Sequence, residues 1–136
     1  MIYVLDTNAV SALMKGNPTV VERLAATTPA QVAIPQPVLA EIAFGIERLP
    51  RSKRRTSLQT RFELISAELP RAEWTDAVSR MFGRVKATLE RRGTRIEDFD
   101  AAIAAHALAL EATLVTANLD HMIRVPGLRV DDWTQG

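Results

Sequence analysis

Ile2-Tyr3-Val4-Leu5-Asp6-Thr7-Asn8 is an apolar, β-prone run that ends abruptly on a carboxylate and two small polar residues. A continuous apolar run of this length, bounded by polar turn formers, suits a strand covered on both faces, as in a parallel α/β sheet. Ligands of such sheets bind outside the carboxyl ends of the strands, and that is where the run delivers Asp6. A plainer reading fits equally well, in which Asp6 and Asn8 are the turn and N-cap residues of the next helix. Taken alone, the stretch supports both.

The pattern returns near the other end of the chain. Thr113-Leu114-Val115-Thr116 reads as a second buried strand, and its polar end, Ala117-Asn118-Leu119-Asp120, repeats the logic of Leu5-Asp6-Thr7-Asn8. Gln31-Val32-Ala33-Ile34 is another strand, ended by Pro35 and Pro37, which are tolerated in a first helical turn and poorly inside a sheet. Leu128-Arg129-Val130 is a last short one, with Trp133 as a cover residue. Between them, helices are predicted over about 8–14, 19–26, 36–48, 51–66, 72–92 and 101–112. The longest is marked inward by Trp74, Val78, Met81, Phe82, Val85 and Leu89, and Asp98 is the expected N-cap of the last. Strands alternating with helices predict an α/β fold over 1–136 as a single domain. Its central sheet is mainly parallel, with four to five short strands and helices on both faces, and right-handed crossovers put the strand ends on a common edge.

A chain of 136 residues can bury roughly two thirds of the surface its unfolded form exposes, so no staples are required. The absence of Cys removes disulfides and thiolate zinc sites, and His106 and His121 are the only imidazoles. Any metal would therefore bind oxygen. No basic segment precedes the first apolar run, and the longest apolar stretch, 101–110, is too short to cross a bilayer. A soluble, cytoplasmic protein is expected.

The net charge of +1 hides an uneven distribution. From Arg48 to Arg95 thirteen Lys/Arg stand against five Asp/Glu, while the rest of the chain has four against eleven. A basic middle beside acidic ends suits a site that attracts a polyanion and holds divalent cations. Solvated helix faces account for the middle segment equally well.

Asp6, Glu41, Asp100 and the turn from Asn118 to Asp120 could all meet at the strand edge. Glu41 lies one step round from the stripe Val38, Leu39, Ile42, Ile46 and Leu49, at the boundary of a helix face. Several carboxylates in one cleft repel, and a hard divalent ion such as Mg²⁺ removes that cost while keeping several of its waters.

With these residues in view, the chain resembles the PIN-domain ribonucleases of the VapC-type toxin family over essentially its whole length. The similarity lies in five motifs in the same order: Leu5-Asp6-Thr7-Asn8; Glu41 with Gly45 four residues on; Asp100-Ala101-Ala102-Ile103-Ala104-Ala105-His106; Thr113-Leu114-Val115-Thr116-Ala117-Asn118; and Arg124-Val125-Pro126-Gly127-Leu128. The resemblance implies a PIN-like fold and an Mg²⁺-dependent endoribonuclease, with Mn²⁺ able to substitute. It also implies a homodimer, inhibited by a cognate antitoxin in a higher-order complex. Asp6, Glu41 and Asp100 match the family's acidic metal ligands. Thr7, Asn8, Thr116 and Asn118 match polar positions that orient the acids, and His106 is expected as a packed helix residue. The departure is Asn118, which stands at the fourth acidic position, where Asp120 or a water would substitute.

RNA hydrolysis by metal-activated water needs no covalent protein nucleophile. Arg51, Lys53, Arg54 and Arg55, in a stretch with no acid from Arg48 to Arg61, are the expected phosphate contacts. Ile46, Leu49 and Phe62 are the expected groove for an antitoxin helix. Two other classes remain: a catalytically silent PIN fold that binds RNA, and a phosphatase of the haloacid dehalogenase kind with Asp6 as nucleophile. Against the second, Asn8 stands where that family's second Asp belongs.

Overall fold

The computed structural model describes residues 1–135. Its elements run β1 (Tyr3–Leu5), α1 (Thr7–Met14), α2 (Pro18–Ala25), β2 (Val32–Pro35), α3 (Gln36–Glu47), α4 (Lys53–Glu68), β3 (Arg71–Ala72), α5 (Asp76–Arg91), α6 (Asp98–Ala109), β4 (Thr113–Val115), α7 (Leu119–Met122) and β5 (Arg129–Asp131). The five strands form one sheet in the order β3-β2-β1-β4-β5, every pair parallel. Val4 lies opposite Ala33 on one side and Leu114 on the other, which makes β1 the centre of the sheet.

That order explains where a ligand can go. The chain moves outward from β1 through β2 to β3, then returns across the sheet to β4 on β1's other flank. Right-handed crossovers in opposite directions lie on opposite faces, so the connections diverge above the carboxyl ends of β1 and β4 and leave a crevice there.

The core is made of the strands and the inner faces of the helices. Val4, Leu5, Val32, Ile34, Leu114 and Val115 are buried on both sides of the sheet, as continuous apolar runs require. In α6 every residue from Ala101 to Ala107 is buried. Its small side chains let α5 and the sheet approach closely, and an all-apolar circumference belongs to a helix enclosed on all sides. His106 is part of this packing: its Nδ1 lies 2.7 Å from the carbonyl of Ala102, and the ring meets Trp74 edge-on at 5.2 Å. Burial lowers its pKa, so it packs as a neutral ring.

Several expectations are corrected here. The long helix starts at Asp76, capped by Thr75, whose hydroxyl accepts from the amide of Val78. Residues 71–72 are instead the edge strand β3, held by pairing with β2. Trp74 therefore lies in the connection and is 45% exposed, outside the inner face to which its spacing from Val78 assigned it. The last long helix is entered from Glu97, and Asp98 is its first residue, paired with Lys86 at 3.0 Å instead of capping. Ile46 belongs to the core at 4% exposure and also borders the open cleft that Leu49 lines. Phe62 packs against the core and does not line that cleft.

Candidate active site at the switch point

Asp6 is the first residue beyond β1. Its amide donates to the carbonyl of Val115 at 3.1 Å, so the backbone is tied to the end of β4 before the chain turns into α1. Its Oδ1 accepts from the amide of Ala9 at 2.8 Å, which makes it the N-cap of α1. The cap reading holds, and it is compatible with the place of Asp6 at the strand edge. Asp6 caps a helix, and it stands at the crevice with only 4% of its surface exposed.

The carboxyl of Asp6 is pushed up from 3.8 to about 6. Burial is the main cause; hydrogen bonds from the Thr116 side chain and the Ala9 amide work against it, and the charges of Asp100 and Glu41 add to it. Asp100, in the first turn of α6 and half-buried, is also raised, first by burial and then by Glu41. Glu41, half-buried on α3, accepts a hydrogen bond from the Thr7 hydroxyl at 2.5 Å. Asp6 at the N-cap of α1, Glu41 on α3 and Asp100 on α6 thus share one electrostatic environment. Among the described residues none of them takes part in an ion pair.

Thr116, directly after β4, bonds its side chain to Asp6 and accepts from the amide of Asn118 at 2.9 Å. Asn8 is exposed on the wall of the cleft beside Glu41. The side-chain amide of Asn118 is taken up by His121: its Nδ2 lies 3.1 Å from Nδ1 of that ring. On α7 it is His121, and not the exposed Asp120, whose charge acts on Asp100, lowering its pKa against the effects of burial and Glu41. His121 escaped sequence reasoning because a single imidazole on a four-residue helix has no spacing that marks it.

The donor set suits a hard divalent cation: oxygen ligands only, mutually repelling, and anchored by neutral hydroxyls and amides. Among the described residues no three acidic or imidazole side chains lie close enough together to hold a metal ion as they stand.

From Glu41 a cleft of about 300 Å³ runs between α1, α3 and α4, with Ile42, Leu49 and Leu58 as apolar lining and Lys15, Arg48 and Arg54 as its cations. The four basic residues expected to meet phosphate are not equivalent. Arg54 lines this cleft, whereas Arg51 and Arg55 border a separate hollow beside Glu47. Arg55 is engaged within the chain, donating to the carbonyl of Leu49 at 3.0 Å and pairing with Glu47 at 3.1 Å. Lys53 is exposed at the start of α4.

The model of the PIN domain family matches residues 3–128. Ribonuclease VapC1 of Haemophilus influenzae strain R2866 is 33% identical, over 99% of this chain and 100% of its own length. The tRNA(fMet)-specific endonuclease VapC of Salmonella typhimurium is 27% identical, over 96% and 97% of the two chains. Among solved structures, VapBC2 from Rickettsia felis, bound to a DNA fragment from their promoter, superposes with a TM-score of 0.86 at 30% identity, covering 98% of this chain and 99% of that one.

Proposed function

The chain belongs to the PIN-domain family and, within it, to the VapC-type ribonucleases, and from that membership we propose that it is the toxin of a type II toxin-antitoxin pair. It is an endoribonuclease that hydrolyses RNA phosphodiester bonds and is inhibited by a cognate antitoxin. Membership sets aside the phosphatase reading of Asp6. The observation that supports the chemistry best is that Asp6 and Asp100 are both raised, first by burial and then by neighbouring acids, Asp100 and Glu41 acting on Asp6 and Glu41 on Asp100, in a crevice at the switch point of the sheet.

Nucleases of this family are generally dependent on a divalent metal. Here Asp6, Glu41 and Asp100 would hold Mg²⁺, or Mn²⁺ in its place, with Asp120 or a water at the position Asn118 leaves without an acid. When bound, such an ion lowers the pKa of a water and stabilises charge on the phosphoryl oxygens. The chain's own residues do the positioning. Thr7 fixes the Glu41 carboxylate, and Thr116 and the Ala9 amide fix that of Asp6. Lys15, Arg48 and Arg54 attract the phosphates along the cleft. The working assembly is a homodimer that joins the antitoxin in a larger complex, in the cytoplasm where its RNA lies. No helix among the described residues is long and apolar enough to cross a membrane.

The test is to incubate antitoxin-free protein with cellular RNA in Mg²⁺, in Mn²⁺ and in chelator, and to map the cut ends. Discrete cuts that need the metal are expected. RNA binding that survives chelation, with no cutting in any metal, would establish a silent binding module instead.

A further inference from the structure

Phe44 is 66% exposed on α3, a conspicuous place for a phenyl ring. It stands one turn beyond Glu41, and side chains at i and i+3 of a helix are neighbours at about 5 to 6 Å. One turn further, Arg48 lays its guanidinium 5.7 Å from the centre of the Phe44 ring. Single exposed apolar residues are ordinary on protein surfaces, but three further facts separate this one from that background. Arg48 has no carboxylate partner among the described residues, so its orientation over the ring is not set by an ion pair. Arg48 also lines the cleft that begins at Glu41 and includes Lys15 and Arg54. The ring, two-thirds exposed, also lies one helical turn from both Glu41 and Arg48, which line that cleft, beside the path a polyanion held by these cations would take.

We propose that Phe44 and Arg48 form a stacking platform for one base of single-stranded RNA, next to the phosphate positioned at the acids. The inference rests on the ribonuclease reading and deepens it by naming a base-binding subsite. A flat aromatic face backed by a cation accepts any base, and purines with their larger π surface best. The cations alone would hold a backbone without regard to its bases. The platform therefore supplies a preference for unpaired RNA, because a base locked in a duplex cannot reach the ring.

The experiment measures binding of fluorescein-labelled oligoadenylate and oligouridylate to the full, antitoxin-free chain in chelator, followed by cleavage in Mg²⁺. Phe44→Ala should weaken oligoadenylate binding about tenfold, toward the lower end of the range for removal of one base stack, and oligouridylate binding less. Phe44→Trp should restore it. Phe44→Leu keeps apolar bulk without a π face and should behave like the Ala variant, and Arg48→Lys should keep the salt dependence while losing part of the purine preference. Because the ring is exposed, the melting temperatures should stay near that of the wild type. Equal RNA binding by wild type, Phe44→Ala and Phe44→Leu would overturn the platform. So would a loss confined to binding of the antitoxin, which would assign the ring to that interface. A failure of the ribonuclease reading looks different: the wild type itself would not cut RNA in any metal, whatever residue stands at 44.

Discussion

Asp6→Asn separates the two roles that share one side chain. Asn caps a helix as well as Asp does, so the bond to the Ala9 amide should survive while the charge is removed. In the folded chain the Asp6 carboxyl titrates at about 6, against 3.8 when unfolded. The folded state therefore binds this proton more tightly. The support Asp6 lends to folding is complete below 3.8 and is lost as the pH rises through about 6. In chelator, the stability advantage of Asp6→Asn over wild type should thus be small in acid, grow across that window, and level off above it at about 1 to 3 kcal/mol. Urea unfolding across the pH range checks this, and a difference that does not vary with pH would deny that Asp6 is strained. At this scale the sequence offered all three acids as candidates, because Asp6 ends a clear strand, Asp100 opens a clear helix and Glu41 borders the apolar stripe of another. It was silent on His121, and on the capture of Arg55 by Leu49 and Glu47, since both depend on contacts that no local pattern encodes.

The elements that position the site are also the ones with the clearest patterns. β1 and β4 are apolar, β-branched runs cut off by polar residues, and their hydrogen-bonded register brings Asp6 and Thr116 to the same edge. β3 was not legible: Arg71 and Ala72 have no strand pattern of their own and are extended because β2 offers them a partner, with the amide of Ile34 donating to Pro70 at 2.9 Å. That pairing also explains Trp74, whose spacing mimics the α5 stripe although the helix begins two residues later. On α3, Gly45 is a helical glycine at which an added Cβ would meet nothing within 4 Å, and it lies on the cleft wall. Gly83 on α5 is equally open but far along a helix that does not line the cleft. Each Gly→Ala should therefore stabilise the fold by roughly 0.5 to 1 kcal/mol through helix propensity. Only Gly45→Ala should raise KM for RNA, because its methyl group enters the path between Glu41 and Arg48. Equal kinetics for the two variants would mean that RNA does not follow this cleft.

Across the whole molecule, charge is segregated by sequence and partly re-sorted by folding. The basic middle segment does not act as one patch: Arg54 joins Lys15, from another region of the chain, on the cleft to Glu41, while Arg55 is spent within the fold. Lys15→Gln with Arg54→Gln should therefore lower the slope of log binding constant against log salt by roughly 1.4, at about 0.7 for each single-strand phosphate that is no longer neutralised. Arg55→Gln should mainly cost stability, about 1 kcal/mol for the hydrogen bond to Leu49, with the slope nearly unchanged. An unaltered slope in the double variant would return Lys15 and Arg54 to the status of solvated surface. Under the proposed function the sheet edge, the cleft and the acids would form one device, with cations gathering RNA toward a crevice whose repelling carboxylates a divalent ion would join. The most direct measurement is the initial rate of RNA cleavage by Asp6→Asn and wild type, in saturating Mg²⁺ and in chelator. The wild type should cut only with the metal, and the variant, folded at least as stably, should be slower by roughly 10²-fold or more, as the loss of a few kcal/mol of transition-state stabilisation implies. Cleavage by Asp6→Asn at the wild-type rate would contradict the placement of the reaction at these acids.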